Sequence, residues 1–123
     1  MTPTKAPRGK QVLHPKGIWY TAVTGIWQTV WLEQVDSAHF TSVHFIPSLD
    51  SVEVFVQASE SGSVCMEVLE EDSCITAHTF TAGGSQTVSF EAPRLWTPEQ
   101  PFLYRVRLSL LRAGRETDRV ESY

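Results

Sequence analysis

Hydrophobic and polar residues alternate along most of the chain from His39 onward. The clearest run is 51–58, in which every second residue is apolar, namely Val52, Val54, Val56 and Ala58. A period of two predicts a β-strand with one face toward a core and the other toward water. No stretch repeats its apolar residues with the period of an α-helix, so the pattern predicts a chain built from strands.

Turn-forming residues divide this alternating part into seven predicted strands, which span residues 39–46, 51–58, 64–68, 75–79, 88–92, 102–110 and 116–123. Turn signals recur about every ten residues, which is the spacing of an all-β sandwich. In the strand at 75–79 either alternate set could face inward. In the other strands we expect the apolar set to face the core, and it includes Val43, Phe45, Val64, Met66, Val68, Val88, Phe90, Ala92, Phe102, Tyr104, Val106, Leu108 and Leu110.

Residues 24–35, TGIWQTVWLEQV, do not follow this alternation. In a strand, Val30 and Leu32 would face one way while Trp27 and Trp31 would face the other, so both faces would be apolar. A strand that is solvated on one face alternates apolar with polar residues. The run therefore predicts a strand covered on both sides, and we expect part of its cover to lie outside this chain.

The residues before this run predict little regular structure. Residues 1–16 are rich in proline and basic residues, which is typical of an extended arm, with weak strand pairing expected at 10–12. Residues 17–23 carry Trp19 and Tyr20 side by side, and adjacent strand residues face opposite sides. We predict three parts: an arm at 1–16, terminal strands at 17–36, and a sandwich of about seven antiparallel strands at 37–123.

Composition and charge narrow the function classes. The chain has 123 residues, of which 41% are hydrophobic and 20% charged, and its net charge is −4 with acids and bases interspersed. No basic patch indicates nucleic-acid binding, and no apolar run reaches the roughly 20 residues of a membrane helix. The first residues lack an apolar signal core. Because a signal could lie upstream in a longer protein, no localisation is predicted.

Candidate reactive residues predict neither a metal site nor a cofactor site. Cys65 and Cys74 flank a predicted turn, and either a cross-strand disulfide or two free thiols fits, the latter being favoured in a domain that can bury a core. The consecutive acids at 70–72 are typical of a solvated turn. The glycines at 83–84 lack the lysine and following helix of a phosphate loop. The histidines have no metal-ligand spacing and are His14, His39, His44 and His78.

Two stretches resemble one known family. Residues 17–33, GIWYTAVTGIWQTVWLE, are similar to the end of the sugar-binding jelly-roll domain of glycoside hydrolase family 2, the β-galactosidase, β-glucuronidase and β-mannosidase family. Residues 92–104, APRLWTPEQPFLY, resemble the P-x-L-W-[ST]-P-E-x-P-x-L-Y motif of its immunoglobulin-like second domain. The matched positions are Pro93, Leu95, Trp96, Pro98, Glu99, Pro101 and Tyr104. The resemblance covers roughly residues 8–123.

This resemblance implies an immunoglobulin-like sandwich after the end of a truncated jelly roll. In the family, two glutamates on a (β/α)8 barrel carry out retaining hydrolysis of β-glycosides, and the acid/base glutamate follows an asparagine. This chain contains no asparagine. We therefore expect the catalytic machinery to lie beyond Tyr123 in a longer protein, and no catalytic residue here. The implied partners are the jelly-roll and barrel domains and, through them, a β-glycoside or oligosaccharide.

The aromatic residues leave two further functions open. Trp19, Tyr20, Trp27 and Trp31 are expected to pack against missing domains, but such rings could also stack on sugars, as in a carbohydrate-binding module. Alternatively, the sandwich could bind a protein through an exposed edge strand. The loop at 93–101 is expected to cap one end of the sandwich, with Trp96 over the strand ends, as a structural motif.

Overall fold

The computed structural model describes residues 9–123, so half of the predicted arm lies outside the described part. Nine β-strands and no helix are assigned in that part. Residues up to Glu33 form one compact unit and Gln34–Tyr123 form another. Among residues 9–123, no helix is long and apolar enough to cross a membrane. The predicted division into 1–16, 17–36 and 37–123 stays a prediction.

In its described residues, 9–33, the first unit contains one short strand pair. Strands β1 (Gln11–Val12) and β2 (Tyr20–Thr21) pair in parallel, with Gln11 opposite Tyr20. The N–H of Tyr20 donates a hydrogen bond to the carbonyl of Lys10 at 2.9 Å. The weak pairing predicted at 10–12 is therefore confirmed.

The strand predicted over residues 24–35 is wrong, because no strand is assigned between β2 and residue 40. A strand is stabilised by a ladder of backbone hydrogen bonds to a neighbour. Among residues 9–123, no backbone partner forms such a ladder with this segment. Side-chain alternation can predict which faces are apolar, but it contains no information on whether a neighbouring strand exists.

The second unit contains seven antiparallel strands, as predicted. They are β3 (Phe40–Pro47), β4 (Ser51–Ala58), β5 (Ser63–Glu70), β6 (Ser73–Thr81), β7 (Ser85–Ser89), β8 (Arg105–Arg112) and β9 (Arg115–Ser122). The boundaries of two strands differ by three residues, because β7 ends at Ser89 rather than at 92, and β8 begins at Arg105 whereas the alternation predicted a start at 102. Phe102 instead donates its N–H to the carbonyl of Gln100 in the preceding loop at 2.8 Å.

The seven strands form two sheets. One has the order β3-β4-β7 and the other has the order β6-β5-β8-β9, and every neighbouring pair is antiparallel. The chain crosses between the sheets after β4, after β6 and after β7. This all-β sandwich confirms the fold class that the turn spacing predicted.

The core lies between the two sheets and is built from the predicted alternate residues. Val54, Val56 and Val88 come from one sheet, and the other contributes the buried residues Val64, Met66, Val68, Val106, Leu108 and Leu110. In β6 the inward set is Thr76, His78 and Phe80, which lie opposite inward residues of β5. Ala92, which was predicted to face the core, is exposed because β7 ends at Ser89.

Two further local features correspond to the sequence. The turn between β8 and β9 consists of Ala113 and Gly114, with φ values of 49° and 76°. Positive φ at both central residues is the mark of a type I′ hairpin turn, whose twist matches that of the strands. Cys65 and Cys74 are both free, since Cys65 lies opposite Thr79 and Cys74 lies opposite Leu69.

Candidate functional site

A mostly apolar groove lies at one end of the sandwich in the second unit, and we call it the end groove. Its cavity volume is about 230 Å³. The β3–β4 turn, the segment between β7 and β8, and Tyr123 after β9 form its walls. The residues that line it are Pro47, Ser48, Leu49, Ser51, Val52, Val68, Phe90, Pro93, Arg94, Leu95, Trp96, Phe102, Leu103, Tyr104, Val106 and Tyr123.

Three aromatic rings form a stacked set in this groove. The ring centroids of Phe90 and Tyr104 lie 5.0 Å apart, and those of Phe102 and Tyr104 are also 5.0 Å apart in an edge-on arrangement. Both geometries are favourable for aromatic pairs. The guanidinium carbon of Arg94 lies 4.1 Å from the centre of the Phe102 ring, which is a cation–π distance. The set therefore gives the groove a rigid wall with one positive charge at its edge.

A single hydrogen bond fastens the β7–β8 segment to the start of β8. The hydroxyl oxygen of Tyr104 accepts a hydrogen bond from the N–H of Arg94, ten residues upstream, at 2.8 Å. The bond closes the segment from Arg94 to Tyr104 into a loop. Between these residues, Thr97 and Gln100 exchange two backbone hydrogen bonds of 3.0 Å, so the loop tip is closed on itself.

The rim of the groove remains apolar and open. Trp96 lines the groove but is 55% exposed, so the loop does not bury it over the strand ends as expected. Leu49, Leu95 and Leu103 are also exposed, and Tyr123 is 77% exposed. Clustered exposed apolar side chains are typical of a surface that contacts another molecule or domain.

The lining of the end groove is mostly apolar. Arg94 is the one charged residue among the described lining residues, and no carboxylate or histidine lines the walls. Hydrolysis of a glycosidic bond needs two carboxyl groups flanking that bond. The groove offers apolar contact, aromatic faces and one cation.

The four aromatic residues predicted as interface or stacking positions all lie in the first unit and are exposed. Trp27 and Trp31 line the same shallow depression with Gln28 and Thr29. They are 87% and 74% exposed. Trp19 and Tyr20 at β2 are not part of that depression. The structure thus brings together one pair of the four residues.

Ion pairs order the outer face of the four-stranded sheet. Arg107 on β8 donates to Glu121 on β9 at 2.9 Å and to Glu67 on β5 at 3.3 Å. The hydrogen bond that Arg107 donates lowers the pKa of Glu121, and the same contact raises the pKa of Arg107. At the edge of the sandwich, the hydrogen bond from Arg115 at 2.6 Å lowers the pKa of Asp36. Each shift favours the charged, paired form, which is the pattern of structural ion pairs.

The second unit matches a known family. The family model for glycosyl hydrolases family 2 matches residues 38–123, which is more than half of the chain. The chain belongs to glycosyl hydrolase family 2. This confirms the resemblance to the family, and the matched residues include the second motif, which contributes one wall of the end groove.

Three solved structures of family 2 members are similar to this chain. Two are glycosyl hydrolase family 2 members from Bacteroides cellulosilyticus, the second from strain DSM 14838. They have TM-scores of 0.56 and 0.54, with 17% and 18% identity over 71% and 72% of this chain. A family 2 β-galacturonidase from Eisenbergiella tayi bound to galacturonate has a TM-score of 0.47, with 19% identity over 72% of this chain. No curated protein sequence matches the chain.

The family 2 chain spans only a small part of these relatives. The aligned regions are 14%, 15% and 19% of the three solved chains. Within residues 9–123, no group of three histidine, cysteine, aspartate or glutamate residues is placed to hold a metal ion.

Sequence reasoning found only part of the end groove. Its family motif placed Pro93, Leu95, Trp96 and Tyr104 in one loop, and all four line the groove. Pro98, Glu99 and Pro101 of the same motif lie outside the lining. The contributions of Leu49 and Tyr123 were missed, because these residues come from distant parts of the chain. The exposed leucine in the polar turn after Pro47 was the one available signal.

Proposed function

We propose that this chain is the non-catalytic, immunoglobulin-like part of a larger family 2 glycoside hydrolase, where it bridges the sugar-binding jelly-roll domain and the catalytic barrel. The larger enzyme would carry out retaining hydrolysis of O-glycosyl bonds in β-glycosides, within carbohydrate metabolism. The observation that carries the proposal is the family match over 38–123, combined with the 14–15% of the Bacteroides structures that the chain covers.

The strand order supports the immunoglobulin-like assignment. Sheets of three and four antiparallel strands are linked by crossovers after β4, β6 and β7, as in the Greek-key sandwiches. The bond from Arg94 to Tyr104 closes the segment before β8 into a loop. Both features are properties of a scaffold, which positions neighbouring domains.

The exposed rim of the end groove supports a docking role within that larger protein. Trp96 and Arg94 belong to residue types that are enriched at interfaces, where an aromatic anchor and an arginine often contribute much of the binding energy. We infer that the groove packs against a neighbouring domain of the enzyme, with Trp96 as its anchor.

The direct test compares the 123-residue chain with the protein encoded by the full reading frame around it. Both are assayed against p-nitrophenyl β-galactoside, β-glucuronide and β-mannoside. We expect hydrolysis of at least one substrate by the longer protein and a rate equal to buffer for the chain. Hydrolysis by the purified chain, or a longer frame without a barrel and its glutamate pair, would contradict the proposal.

The docking role has its own test in the longer protein. Trp96→Ala should lower the midpoint of thermal unfolding and separate the sandwich transition from that of its neighbour. Phe55→Ala is the matched control, because Phe55 is a partly exposed aromatic residue on β4 outside the end groove. Equal effects of the two substitutions would contradict the docking role.

Sugar binding by the first unit is the second candidate function, because Trp27 and Trp31 are exposed in one depression. Exposed aromatic faces suit the apolar face of a pyranose ring. Titration of the chain with β-linked oligosaccharides, followed by tryptophan fluorescence, would give saturable binding that Trp27→Ala removes and Trp96→Ala retains. A linear, unsaturable response would exclude this candidate.

A further inference from the structure

Four strands form the edges of the two sheets, and they differ in how they are protected. Edge strands present backbone groups that can pair with another chain, and proteins commonly block them with charges, proline, bulges or short length. The edges of the sandwich are β3 and β7 in one sheet and β6 and β9 in the other.

Three of these edges carry such protection. Strand β3 has a bulge between Phe40 and Ser42 and ends at Pro47, and the N–H of Phe40 is taken by the carboxylate of Asp118 on β9 at 2.8 Å. Strand β7 has only five residues. Strand β9 is charged along its length, with Arg115, Glu116, Asp118, Arg119 and Glu121.

Strand β6 lacks most of this protection. It is the longest strand of the sandwich, with nine residues, and its sequence SCITAHTFT contains no Asp, Glu, Lys, Arg, Gly or Pro. One bulge interrupts its pairing at the start, where Ile75 has no opposite residue on β5. From Thr76 to Thr81 the register with β5 is regular, and among the described strands β5 is the only neighbour of β6.

The side chains around this free edge leave room for another backbone. Ala77 and Thr79 are exposed and small, and they lie on the outer face of the sheet opposite Glu67 and Cys65. The residues of β6 favour extended structure, since threonine, isoleucine and phenylalanine are enriched in strands. An uncharged, regular and exposed edge of this kind is suited to the addition of a strand.

We propose that the β6 edge pairs with the β6 edge of a second copy of this chain, in antiparallel orientation about a two-fold axis. The acidic turn with Glu70, Glu71 and Asp72 lies at the start of β6, and the uncharged residues 82–84 follow its end. Antiparallel pairing sets each acidic turn beside the uncharged end of the other copy. Parallel pairing would bring the two acidic turns together, which like charges oppose.

The charge of the strand itself also permits self-pairing. With no Asp, Glu, Lys or Arg in β6, no register of the antiparallel pair places like charges of these residues opposite each other. Both copies use the same surface, so the contact is isologous and closes at a dimer. The two four-stranded sheets then continue as one eight-stranded sheet, and neither β6 edge remains free.

The experiment measures the association of the full chain by sedimentation equilibrium over a wide concentration range. The chain carries the substitutions Trp27→Ser and Trp31→Ser, because association through these exposed tryptophans would otherwise hide dimer formation through the β6 edge. We expect a monomer–dimer equilibrium. Thr79→Lys places a lysine on each copy beside the hydrogen bonds between the two β6 strands. It should raise the dissociation constant of the dimer by about tenfold or more.

The matched control is Thr41→Lys on the exposed side of the β3 edge, which should leave the dissociation constant unchanged. Hydrogen exchange gives a second measurement, in which amides of residues 76–81 on the free side become protected as concentration rises. Three outcomes overturn the proposal: a monomer at all concentrations, a dimer equally sensitive to both lysines, or a dimer without new protection in β6.

Discussion

Removing one hydroxyl group from the end groove is the sharpest test of how the loop motif is held. Tyr104→Phe deletes the oxygen that accepts the Arg94 N–H at 2.8 Å. The ring that stacks against Phe90 and Phe102, each at 5.0 Å, is kept. The substitution therefore changes one hydrogen bond and leaves the aromatic packing in place.

The expected magnitude follows from the exposure of the two partners. A typical hydrogen bond contributes about 0.5–1.5 kcal/mol, and more is lost only if a buried group is left unpaired. Tyr104 is partly buried and Arg94 is exposed, so water can replace the hydroxyl at the Arg94 N–H. We expect a loss of about 1 kcal/mol in the free energy of unfolding, or about 4–8 °C in Tm for a sandwich of this size.

The assay is urea unfolding followed by far-UV circular dichroism, because the exposed Trp27 and Trp31 would dominate a fluorescence signal. The midpoint should fall while the slope m stays constant. Tyr123→Phe is the matched control, since Tyr123 also lines the end groove and its side chain is mostly exposed. Equal midpoints for the two variants would refute the role assigned to the Tyr104 hydroxyl.

Three further predictions concern the core, a turn and acid stability. Met66→Ala empties space at a fully buried position and should destabilise the sandwich by about 2–5 kcal/mol in urea unfolding; a loss below about 1 kcal/mol would contradict the assigned core. Ala113→Gly should raise the unfolding free energy by about 1 kcal/mol, because a residue with a Cβ is strained at φ 49°; an unchanged Tm would argue against this turn. The pKa values of Asp36 and Glu121 are lower in the folded state than in the unfolded state, and Arg107 lowers that of Glu121. These carboxylates therefore stabilise the fold fully above the unfolded-state pKa values of about 4, and the stabilisation is lost as the pH falls through the folded-state pKa values. Tm should therefore fall below about pH 4, less steeply in high salt; an acid dependence unaffected by salt would rule out these ion pairs as its source.

The candidate site was predictable only where one continuous segment carried it. Pro93, Leu95, Trp96 and Tyr104 lie within one motif, and their common location follows from their closeness in sequence. The exposure of Trp96 did not follow, because it depends on where the loop lies relative to the other walls of the groove, which include Leu49 and Tyr123. These contacts join positions far apart in the chain, and no local pattern encodes such a distance.

The sequence by itself determined the strands of the sandwich and the faces they bury. Alternation requires no knowledge of the partner, since successive side chains of any strand point to opposite faces. For this reason the inward sets of β4, β5 and β8 were all correct, and the turn at Ala113 and Gly114 followed from its residues. The family motif likewise predicted, from one continuous segment, a loop at one end of the sandwich.

Only the tertiary structure decided what pairs with what. The run 24–35 has the side chains of a strand but lacks a ladder, because a ladder requires a second backbone at hydrogen-bond distance. In the same way, β6 has the composition of an inner strand, yet the order β6-β5-β8-β9 places it at an edge. Strand order is set by which long-range pairings bury the most apolar surface together, and that sum is a property of the whole fold.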